Sequence, residues 1–425
     1  MKKISDLNLF RAFRSTNYTL YFFGRSISQL GTWMQRTAVI WVVYSITHSA
    51  FLTGVTIFAE QFPSFAFSIL GGVAADRYNR YKIIKITQII SMIQSVLLAI
   101  LIISGYSMVW AILVLSVILG IINAFDVPAR QSLIHEVVAD QADLPNALSL
   151  TTATASLAQL LGPALSGIVL NAWGAPVCFL INAASFGGVF LSILLMKLPA
   201  PKPKNKQQNV LAEFAEGFNY LKKTPNLAQI IVMLFFISLL VLPFNTVLPV
   251  FAKVIFKGDA KTFGYITSFM GIGAVIATML VASRKPGAHL KRILFISTIM
   301  MGIAMICFSQ ITNFPLAMFF IGITGFGAIM QFTVSNIIIQ SESAAYMRGR
   351  VIGILLMVLF GMVPLGSLLI GGISEDIGAP TTVLCEGIIA IIIALTFAKF
   401  LTAREKKPAI HDESIAATEE IIAEH

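Results

Sequence analysis

Ionisable side chains lie within long apolar segments of this sequence, where they could bind a ligand or exchange a proton. Arg25, Gln29, Thr32 and Arg36 follow one another at spacings of four, three and four, which places them on one face of a helix. Glu60 lies in the next apolar segment. At 1.5 Å per residue, Arg36 and Glu60 lie at a similar depth, roughly 23 to 26 Å from the basic ends of their helices. The two side chains could therefore pair.

Two interpretations of such a pair are open. Desolvation disfavours the charge of a buried carboxylate and a nearby cation favours it, so Glu60 could gain and lose a proton while Arg36 balances its charge. Alternatively, the two residues form a static ion pair that holds two helices in register. Arg25 lies closer to the basic end of its helix, where it could face the same cavity or extend its head group toward water.

A second group of functional residues lies between the second and third apolar segments. Gly72, Asp76, Arg77 and Arg80 form the pattern Gly-x-x-x-Asp-Arg-x-x-Arg. An ordinary basic loop between membrane helices would explain Arg80, but not an aspartate placed after a glycine at a helix end. The pattern resembles the signature of the major facilitator superfamily in the same loop, although Asn79 stands where that family often has glycine.

The resemblance implies a gate at this loop. Gly72 would let a helix of the other half approach closely, and Asp76 would cap the positive N-terminal end of the eleventh helix, which begins near Arg350. Arg77 would pair with Asp126 at the end of the fourth helix. In the family, these contacts stabilise the outward-facing state and break when the transporter opens inward.

Other segments narrow the resemblance to one subfamily. They are residues 31–35, 41–44, 126–136, 143–149, 182–186, 216–218 and 348–351. Together with the signature they look like the subfamily that contains enterobactin exporters and macrolide-efflux pumps, over about residues 10–402. The resemblance implies a transporter of twelve helices and not an enzyme, and it is less specific for the cargo.

The fifth apolar segment carries a motif of small residues around a proline. Gly162, Pro163 and Gly167 stand in a pattern similar to the antiporter motif of the family, with Ala158 and Ser166 replacing two of its glycines. All these residues are small, so close helix packing is preserved. In the family the motif accompanies export in exchange for protons. An ordinary proline kink in a membrane helix is the alternative.

Several amide side chains in the remaining apolar segments are expected to line a central cavity. These residues are Asn123, Gln159, Asn245, Gln331 and Asn336. Glu386 lies in the last apolar segment, which is usually peripheral, and is expected to be structural. The 5 histidines and 3 cysteines show no metal-ligand spacing, so we expect no metal and no other cofactor, with the proton gradient as driving force.

The composition requires lipid as the solvent of the elements that position these residues. Of the 425 residues, 57% are hydrophobic and 12% are charged, whereas a soluble domain carries about 25% charged residues. The apolar segments are too long and too unbroken for barrel strands. The sequence predicts an all-α integral membrane protein with twelve transmembrane helices in two pseudo-symmetric six-helix halves, the major facilitator fold.

The domain boundaries follow from the polar stretches. We predict an N-terminal arm at 1–17, a six-helix bundle at 18–198, a linker at 199–226, a second bundle at 227–402 and a tail at 403–425. Residues 210–223 of the linker have amphipathic spacing and are expected to lie on the membrane surface. Glycines of the two halves recur in the same order and spacing, which indicates a duplication. The matching positions are Gly162 and Gly366, Gly167 and Gly371, and Gly174 and Gly378.

The basic residues predict the orientation. Most of the 30 Lys and Arg lie in the arm, the even-to-odd loops or the tail, and only Lys253, Lys257 and Lys261 lie in loops on the other side. The positive-inside rule therefore predicts both termini in the cytoplasm of a bacterium, with the chain crossing its cytoplasmic membrane many times. Charges that flank apolar segments argue against a nucleic-acid partner. The expected partners are the lipid bilayer and a small-molecule substrate, and we expect a monomer.

The function predicted from the sequence is secondary active export of a small amphipathic molecule, such as a siderophore, a macrolide or a similar drug. It would proceed by alternating access and proton antiport. An importer, or a lysophospholipid transporter or flippase of the same fold, remains an alternative, as does a channel. A primary ATP-driven pump is disfavoured because the sequence has no phosphate-binding loop pattern.

Overall fold

The computed structural model describes residues 8–105, 108–196, 210–283 and 289–402, and all regular elements in these ranges are helical. The first half contains 3₁₀ turns at Asn8–Arg14 and Gln141–Asp143, and α1 (Thr16–Thr47), α2 (Ala50–Ala66), α3 (Ser68–Arg77), α4 (Arg80–Ile103), α5 (Val109–Val137), α6 (Leu144–Trp173) and α7 (Ala175–Leu195). Residues 1–7 of the predicted arm, 197–209 around the start of the linker and the tail from 403 lie outside the described residues.

The second half begins with the linker helix. It contains α8 (Val210–Lys223), α9 (Pro225–Leu240), a 3₁₀ turn at Leu242–Val247, α10 (Leu248–Val250), a π turn at Phe251–Ile255, α11 (Ala260–Ala282), α12 (Leu290–Gln310), α13 (Phe314–Glu342), α14 (Arg348–Ile377), α15 (Ala379–Thr396) and α16 (Ala398–Thr402). Helices of the two halves alternate in direction, as short connections between packed helices require.

Most of these helices are suited to a membrane. Within the described ranges, 10 helices are long and apolar enough to cross a bilayer, and α2 with α3 forms an eleventh candidate that is bent by 46°. At 32 residues α1 is about 48 Å long, which is also sufficient, but its polar stripe makes it less apolar than the others. The all-helical membrane fold is thus confirmed, whereas the count of twelve crossings depends on α1 and stays a prediction.

Successive helices end on two opposite faces of the bundle. We call the one that holds the start of α1 and the α3–α4, α5–α6 and α13–α14 connections the termini face. The other, which holds the α1–α2, α6–α7 and α14–α15 connections, is the far face. Within the first half, α1 packs on α6 and α7, and α4 packs on α5 and α7; within the second half, α14 packs on α9, and α12 packs on α13 and α15.

The packing of the glycines agrees with the duplication predicted from the sequence. Gly162 of α6 lies against α1, where a Cβ would come within 2.5 Å of Trp33 Cβ, and Gly366 of α14 lies equally tightly against α9. Gly174 and Gly378 end α6 and α14 with φ of 82° and 83°, a left-handed region that glycine adopts without a steric penalty. The same sequence positions therefore perform the same packing role in both halves.

The linker helix α8 packs on the second half. Glu216 Oε2 lies 2.5 Å from Arg350 Nη1 at the start of α14, and Leu221 is only 5% exposed among the apolar side chains of this half. Phe218 remains 44% exposed. Part of its apolar face is therefore buried against protein, and its position on the membrane surface stays a prediction.

Candidate functional site

Arg36 and Glu60 form an ion pair between α1 and α2. Arg36 Nε lies 2.8 Å from Glu60 Oε1, and the guanidinium carbon lies 5.2 Å from the centroid of the Trp33 ring. The side chain of Glu60 is 8% exposed and that of Arg36 is 30% exposed. They line one small cavity together with Thr32, Gln35, Val39, Gln94, Ser116 and Leu119. The pair that the sequence left as a possibility is thus present, at the edge of a mostly polar cavity.

A network of buried amides adjoins this cavity, and the sequence analysis missed it. Gln35 Nε2 donates to Gln94 Oε1 at 3.0 Å, and Gln35 Oε1 accepts from Ser95 Oγ at 2.7 Å and from Asn182 Nδ2 at 2.9 Å. These four side chains are buried and join α1, α4 and α7. Gln35 lies about 100° around the helix from Arg36, outside the stripe from which the site was predicted.

Asp126 has partners other than the predicted one. Its carboxylate accepts hydrogen bonds from Thr87 Oγ1 at 2.7 Å, from Gln88 Nε2 at 3.1 Å and from Arg130 Nε. Asp126 and Arg77 are therefore not paired in this conformation. The physical reason is the length of α5. This helix continues to Val137, so Asp126 lies about 16 Å along the helix from the termini face, in the interior of the bundle. Arg77 stands exposed at the end of α3.

A different ion pair joins α4 to α5 at the termini face. Arg80 contacts Glu136 through Nη1 and donates from Nε to the carbonyl oxygen of Ala75 at 3.0 Å. Its Nη2 also lies 3.9 Å from Oδ1 of Asp76, whose side chain is 69% exposed. Of the signature residues, Arg80 is therefore the one that holds helices of the first half together in this conformation.

The predicted contact between the signature and the second half is absent among the described residues. A Cβ placed on Gly72 would meet no atom within 4 Å, and the same holds for Gly349 and Gly353 in the first turns of α14. Instead Gly71 lies against the backbone of Ala124 in α5. The glycine that permits close approach is thus Gly71, and the approach is between two helices of the first half. The contact of Asp76 with α14 at the termini face is not formed in this conformation.

The far face shows the opposite arrangement. Glu375, near the end of α14, accepts hydrogen bonds through Oε1 from the Ser49 hydroxyl and from the backbone N–H of Phe51, the latter at 3.2 Å. Ser49 is the N-cap residue of α2. Nearby, Gly54 lies against the carbonyl oxygen of Ser367. An acid of the second half therefore caps a helix of the first half, where the positive end of the helix dipole favours negative charge.

Small residues close the far face between α6 and α11 and between α2 and α14. A Cβ on Gly167 would lie 2.9 Å from the Ala260 carbonyl oxygen, and a Cβ on Gly371 would lie 2.8 Å from that of Ala50. At a neighbouring inter-half contact the rings of Trp41 and Phe263 stack with centroids 5.8 Å apart. The halves are closely packed at the far face and separated around Gly72 at the termini face.

The antiporter-like motif is divided between two interfaces. Gly162 and Ser166 face α1, where Ser166 Oγ donates to the carbonyl oxygen of Met34 at 3.0 Å. Gly167 and the carbonyl oxygen of Pro163 face α11, with the latter 2.7 Å from a Cβ placed on Gly264. This part of α6 therefore joins the first half to the second.

The amides expected to line a cavity have different surroundings. Those that keep accessible surface are Asn123, Gln159, Asn245 and Asn336. Gln331 is 1% exposed and donates to Thr298 Oγ1, so its assignment to a cavity is wrong. Its role is to join α12 to α13, because a buried amide must find hydrogen-bond partners.

Several polar side chains have buried atoms without a hydrogen-bond partner among the described residues, and three of them are residues singled out individually in the sequence, Arg25, Gln29 and Glu386. Arg25 Nε and Gln29 Oε1 are two of these atoms, and Arg25 is half-buried with Asp126 and Arg130 in its electrostatic surroundings. Both carboxylate oxygens of Glu386 are two more. No group of three or more His, Cys, Asp or Glu that could hold a metal ion occurs in the described ranges.

The sequence matches one family over nearly its whole length. The family described as "Transmembrane secretion effector" matches residues 8–423. The chain is 26% identical to a staphyloferrin A transporter of Staphylococcus aureus over 89% of this chain and 95% of that protein. It is 23% identical to the multidrug efflux pump Tap of Mycolicibacterium fortuitum over 88% of this chain and 93% of that protein.

A solved structure shares the fold. The crystal structure of a variant of the nucleoside transporter NupG matches with a TM-score of 0.74 at 12% identity, covering 91% of this chain and 100% of that one. At this identity the likeness concerns the arrangement of helices alone. It agrees with the two halves described above.

Proposed function

This chain belongs to the transmembrane secretion effector family of major facilitator transporters, and we propose that it exports a small amphipathic molecule in exchange for protons. As a transporter of this type, the protein is a multi-pass membrane protein.

Alternating access is supported by the asymmetry between the two faces, the observation on which the proposal chiefly depends. Small residues pack the halves together at the far face, whereas Gly72, Gly349 and Gly353 have open space around them at the termini face. The Arg36–Glu60 pair lies between the far face and the termini face. A rocking motion of the halves would therefore expose the cavity first to one side of the membrane and then to the other.

Each face has its own acidic cap in this mechanism. The bent α2–α3 unit and α14 run antiparallel, and each has an acid near its end, at the face where the other begins: Asp76 in α3 and Glu375 in α14. In the conformation described here, Glu375 caps α2 while Asp76 is exposed. When the termini face closes, Asp76 caps the start of α14 and the Glu375 contact is released, so the two caps alternate.

Glu60 is the proposed proton carrier. It is the buried acid that lines the polar cavity, and Arg36 is its counter-ion. Binding of cargo or movement of α1 against α2 changes the distance between the two groups. Such a change alters the free energy of the carboxylate charge and so couples proton exchange to the conformation.

In the proposed orientation, the termini face lies in the bacterial cytoplasm. Arg11, Arg80 and Arg350 lie at this face, whereas Lys253, Lys257 and Lys261 lie near the far face. Basic residues are retained on the cytoplasmic side of a membrane during insertion. The conformation described here is then inward-facing, with α1 as the twelfth crossing. The unit of transport is a monomer.

The direction and the cargo are supported by the relatives. One is named a staphyloferrin A transporter and another a multidrug efflux pump, so export of a siderophore, a macrolide or a similar drug is proposed for this chain. The second candidate is an importer, or a lysophospholipid transporter or flippase, of the same fold. The position of the small-residue motif at the α6–α11 interface favours the antiporter over these.

Reconstitution in liposomes with an imposed pH gradient tests the proposal. Catecholate siderophores, macrolides and lipophilic cations are the cargo to be tested, with flux followed in both orientations of the gradient. We expect transport of at least one of them against its own gradient, and collapse of this transport by a protonophore. Flux that is passive and indifferent to the pH gradient would instead indicate a channel or a flippase.

A further inference from the structure

A cluster of charged side chains between the Arg36–Glu60 pair and the termini face has more cations than anions. Asp126 and Arg130 of α5 are bonded to each other, and Arg25 of α1 lies in their electrostatic surroundings. Tyr21 is the other neighbouring titratable group, and it contributes a hydroxyl rather than a carboxylate. Two guanidinium groups therefore share a single carboxylate, and the cluster has one positive charge in excess.

The hydrogen bonds of the cluster show the same imbalance. Asp126 accepts from Thr87 and Gln88 as well as from Arg130, so its acceptor capacity is largely used. Arg130 is 4% exposed, and its Nη1 is buried without a partner among the described residues, as is Nε of Arg25. Buried donors of a cation without a matching acceptor are unfavourable, so this site would favour a further anion.

The position of the cluster connects it with the cavity. Arg25 and Arg36 lie on the same stripe of α1, about 16 Å apart along the helix, and Thr32 between them lines the cavity. Gln29 Oε1, one turn from Arg25, is a buried acceptor that also lacks a partner. The stripe thus has two cationic levels. Glu60 neutralises the upper one, whereas the lower one, nearer the open termini face, has one carboxylate for two guanidinium groups.

We propose that Arg25 and Arg130 bind an anionic oxygen group, a carboxylate or a phosphate, of the cargo. This inference rests on the proposed transport function and specifies the class of substrate as acidic amphipathic molecules. Guanidinium groups suit the task because their planar donors match the oxygens of carboxylates and phosphates. Gln29 would accept a hydrogen bond from a hydroxyl or amide of the same molecule.

Thermal unfolding of the full chain in phosphatidylcholine nanodiscs tests the site. Citrate and inorganic phosphate serve as probes of the two anion classes, and choline is the cationic control. We expect both anions, but not choline, to raise the Tm of the wild type. Arg25→Gln should weaken the apparent affinity about tenfold or more, as expected for a lost charge-assisted hydrogen bond, and Arg25→Lys should retain part of it. Arg350→Gln, which removes a cation elsewhere, should leave it unchanged.

A structural role of Arg25 predicts a different result. If Arg25 only neutralised Asp126, Arg25→Gln would lower the Tm without any anion present and would leave the citrate response intact; that result overturns the proposal. For a ligand site with excess cation, the Tm of the unliganded variant is unchanged or higher. A wild type indifferent to both anions would also overturn it.

The source of the anion is tested separately. If stabilisation that depends on Arg25 appears only in nanodiscs containing phosphatidylglycerol, the ligand is a lipid headgroup and the assignment to cargo is wrong. Efflux of a lipophilic cation driven by a pH gradient is measured in parallel on the wild type. If that efflux occurs while neither anion binds, the anion site fails and the transport function stands.

Discussion

Glu375 accepts a hydrogen bond from the backbone N–H of Phe51 at 3.2 Å, and this bond joins the end of α14 to the start of α2 across the two halves. The carboxylate occupies the position where an N-cap group satisfies the free N–H groups of a helix, and the Ser49 hydroxyl donates to it as well. Because the contact spans the halves, it stabilises only the conformation in which the far face is closed.

Glu375→Ala should therefore shift the conformational equilibrium away from far-face closure. Loss of a capping group costs about 1 kcal/mol, which corresponds to roughly a fivefold change in the ratio of the two states. Spin labels at positions 78 and 346, where Tyr78 and Tyr346 are 70% and 78% exposed at the termini face, report the opening. We expect a larger population of short distances between the labels in the variant.

Asp376→Ala is the matched control for this measurement. Asp376 is the next residue and is also exposed, but no hydrogen bond or ion pair of its side chain occurs among the described residues. The substitution Asp376→Ala removes the same charge as Glu375→Ala but leaves the Glu375 cap in place. Equal shifts in the two variants would mean that net charge at the far face, rather than the contact with Phe51, sets the equilibrium.

The ion pair between Arg80 and Glu136 should be measurable as a coupling energy. Both side chains are partly buried, at 20% and 31% exposure, so the pair is screened less than a surface pair. In a double-mutant cycle of Arg80→Gln and Glu136→Gln, we expect a coupling of about 0.5–1 kcal/mol in the free energy of unfolding. Thermal or denaturant unfolding in detergent micelles gives the four values.

The corresponding cycle of Arg77→Gln with Asp126→Asn is the control. Arg77 is exposed and Asp126 is bonded to Arg130 within α5, so their effects should be additive. Coupling in this second cycle, together with additivity in the first, would contradict the pairing found in the structure. It would support the pairing that the signature alone implied.

The sequence predicted the features that depend on helical periodicity and on the duplication. Spacing along α1 and α2 was sufficient to place Arg36 and Glu60 at one depth, because the rise of a membrane helix is nearly constant. The recurring glycines predicted a common packing role, since close helix contact requires small residues in both halves.

Contacts between helices were predicted less well. The bonds of Gln35 depend on which sides of α4 and α7 face α1, and the spacing within one helix does not contain that information. The family resemblance implied a pair of Arg77 with Asp126 at the end of the fourth helix, whereas that helix continues to Val137. Glu375 was missed, although an acid near the end of α14 mirrors Asp76 at the end of α3.

Gln35→Leu should destabilise the first half. Gln35 accepts from Ser95 and Asn182 and donates to Gln94, so its loss leaves several buried polar groups without a partner. Each such group costs about 1–3 kcal/mol, and we expect a loss of at least about 2 kcal/mol in the free energy of unfolding. Gln159→Leu is the control, since Gln159 is half-buried and its side chain makes no hydrogen bond within the described ranges. Similar losses for both variants would contradict the network.

Gly167→Val should prevent full closure of the far face. A Cβ at this position would lie 2.9 Å from the carbonyl oxygen of Ala260, so α6 and α11 would have to separate. We expect the labels at positions 78 and 346 to report a shift toward termini-face closure. Gly188→Val is the control, because a Cβ there would meet nothing within 4 Å. An unchanged distance distribution in the first variant would show that this contact does not limit the motion.

Glu60→Gln tests the proposed proton carrier. The amide oxygen can still accept the hydrogen bond from Arg36 Nε, so the contact between α1 and α2 is retained while the group that exchanges a proton is removed. We expect proton-coupled transport to fall about tenfold or more, whereas the amount of folded protein in the membrane stays the same. Glu386→Gln is the control because Glu386 is also buried but lies in α15, outside the cavity. Proton-coupled transport by the Glu386→Gln variant should be unchanged, since the proposed proton carrier is the carboxylate beside Arg36. A Glu60→Gln protein that still transports against a gradient, with an unaltered response to pH, would reduce the Arg36–Glu60 pair to a static link between two helices.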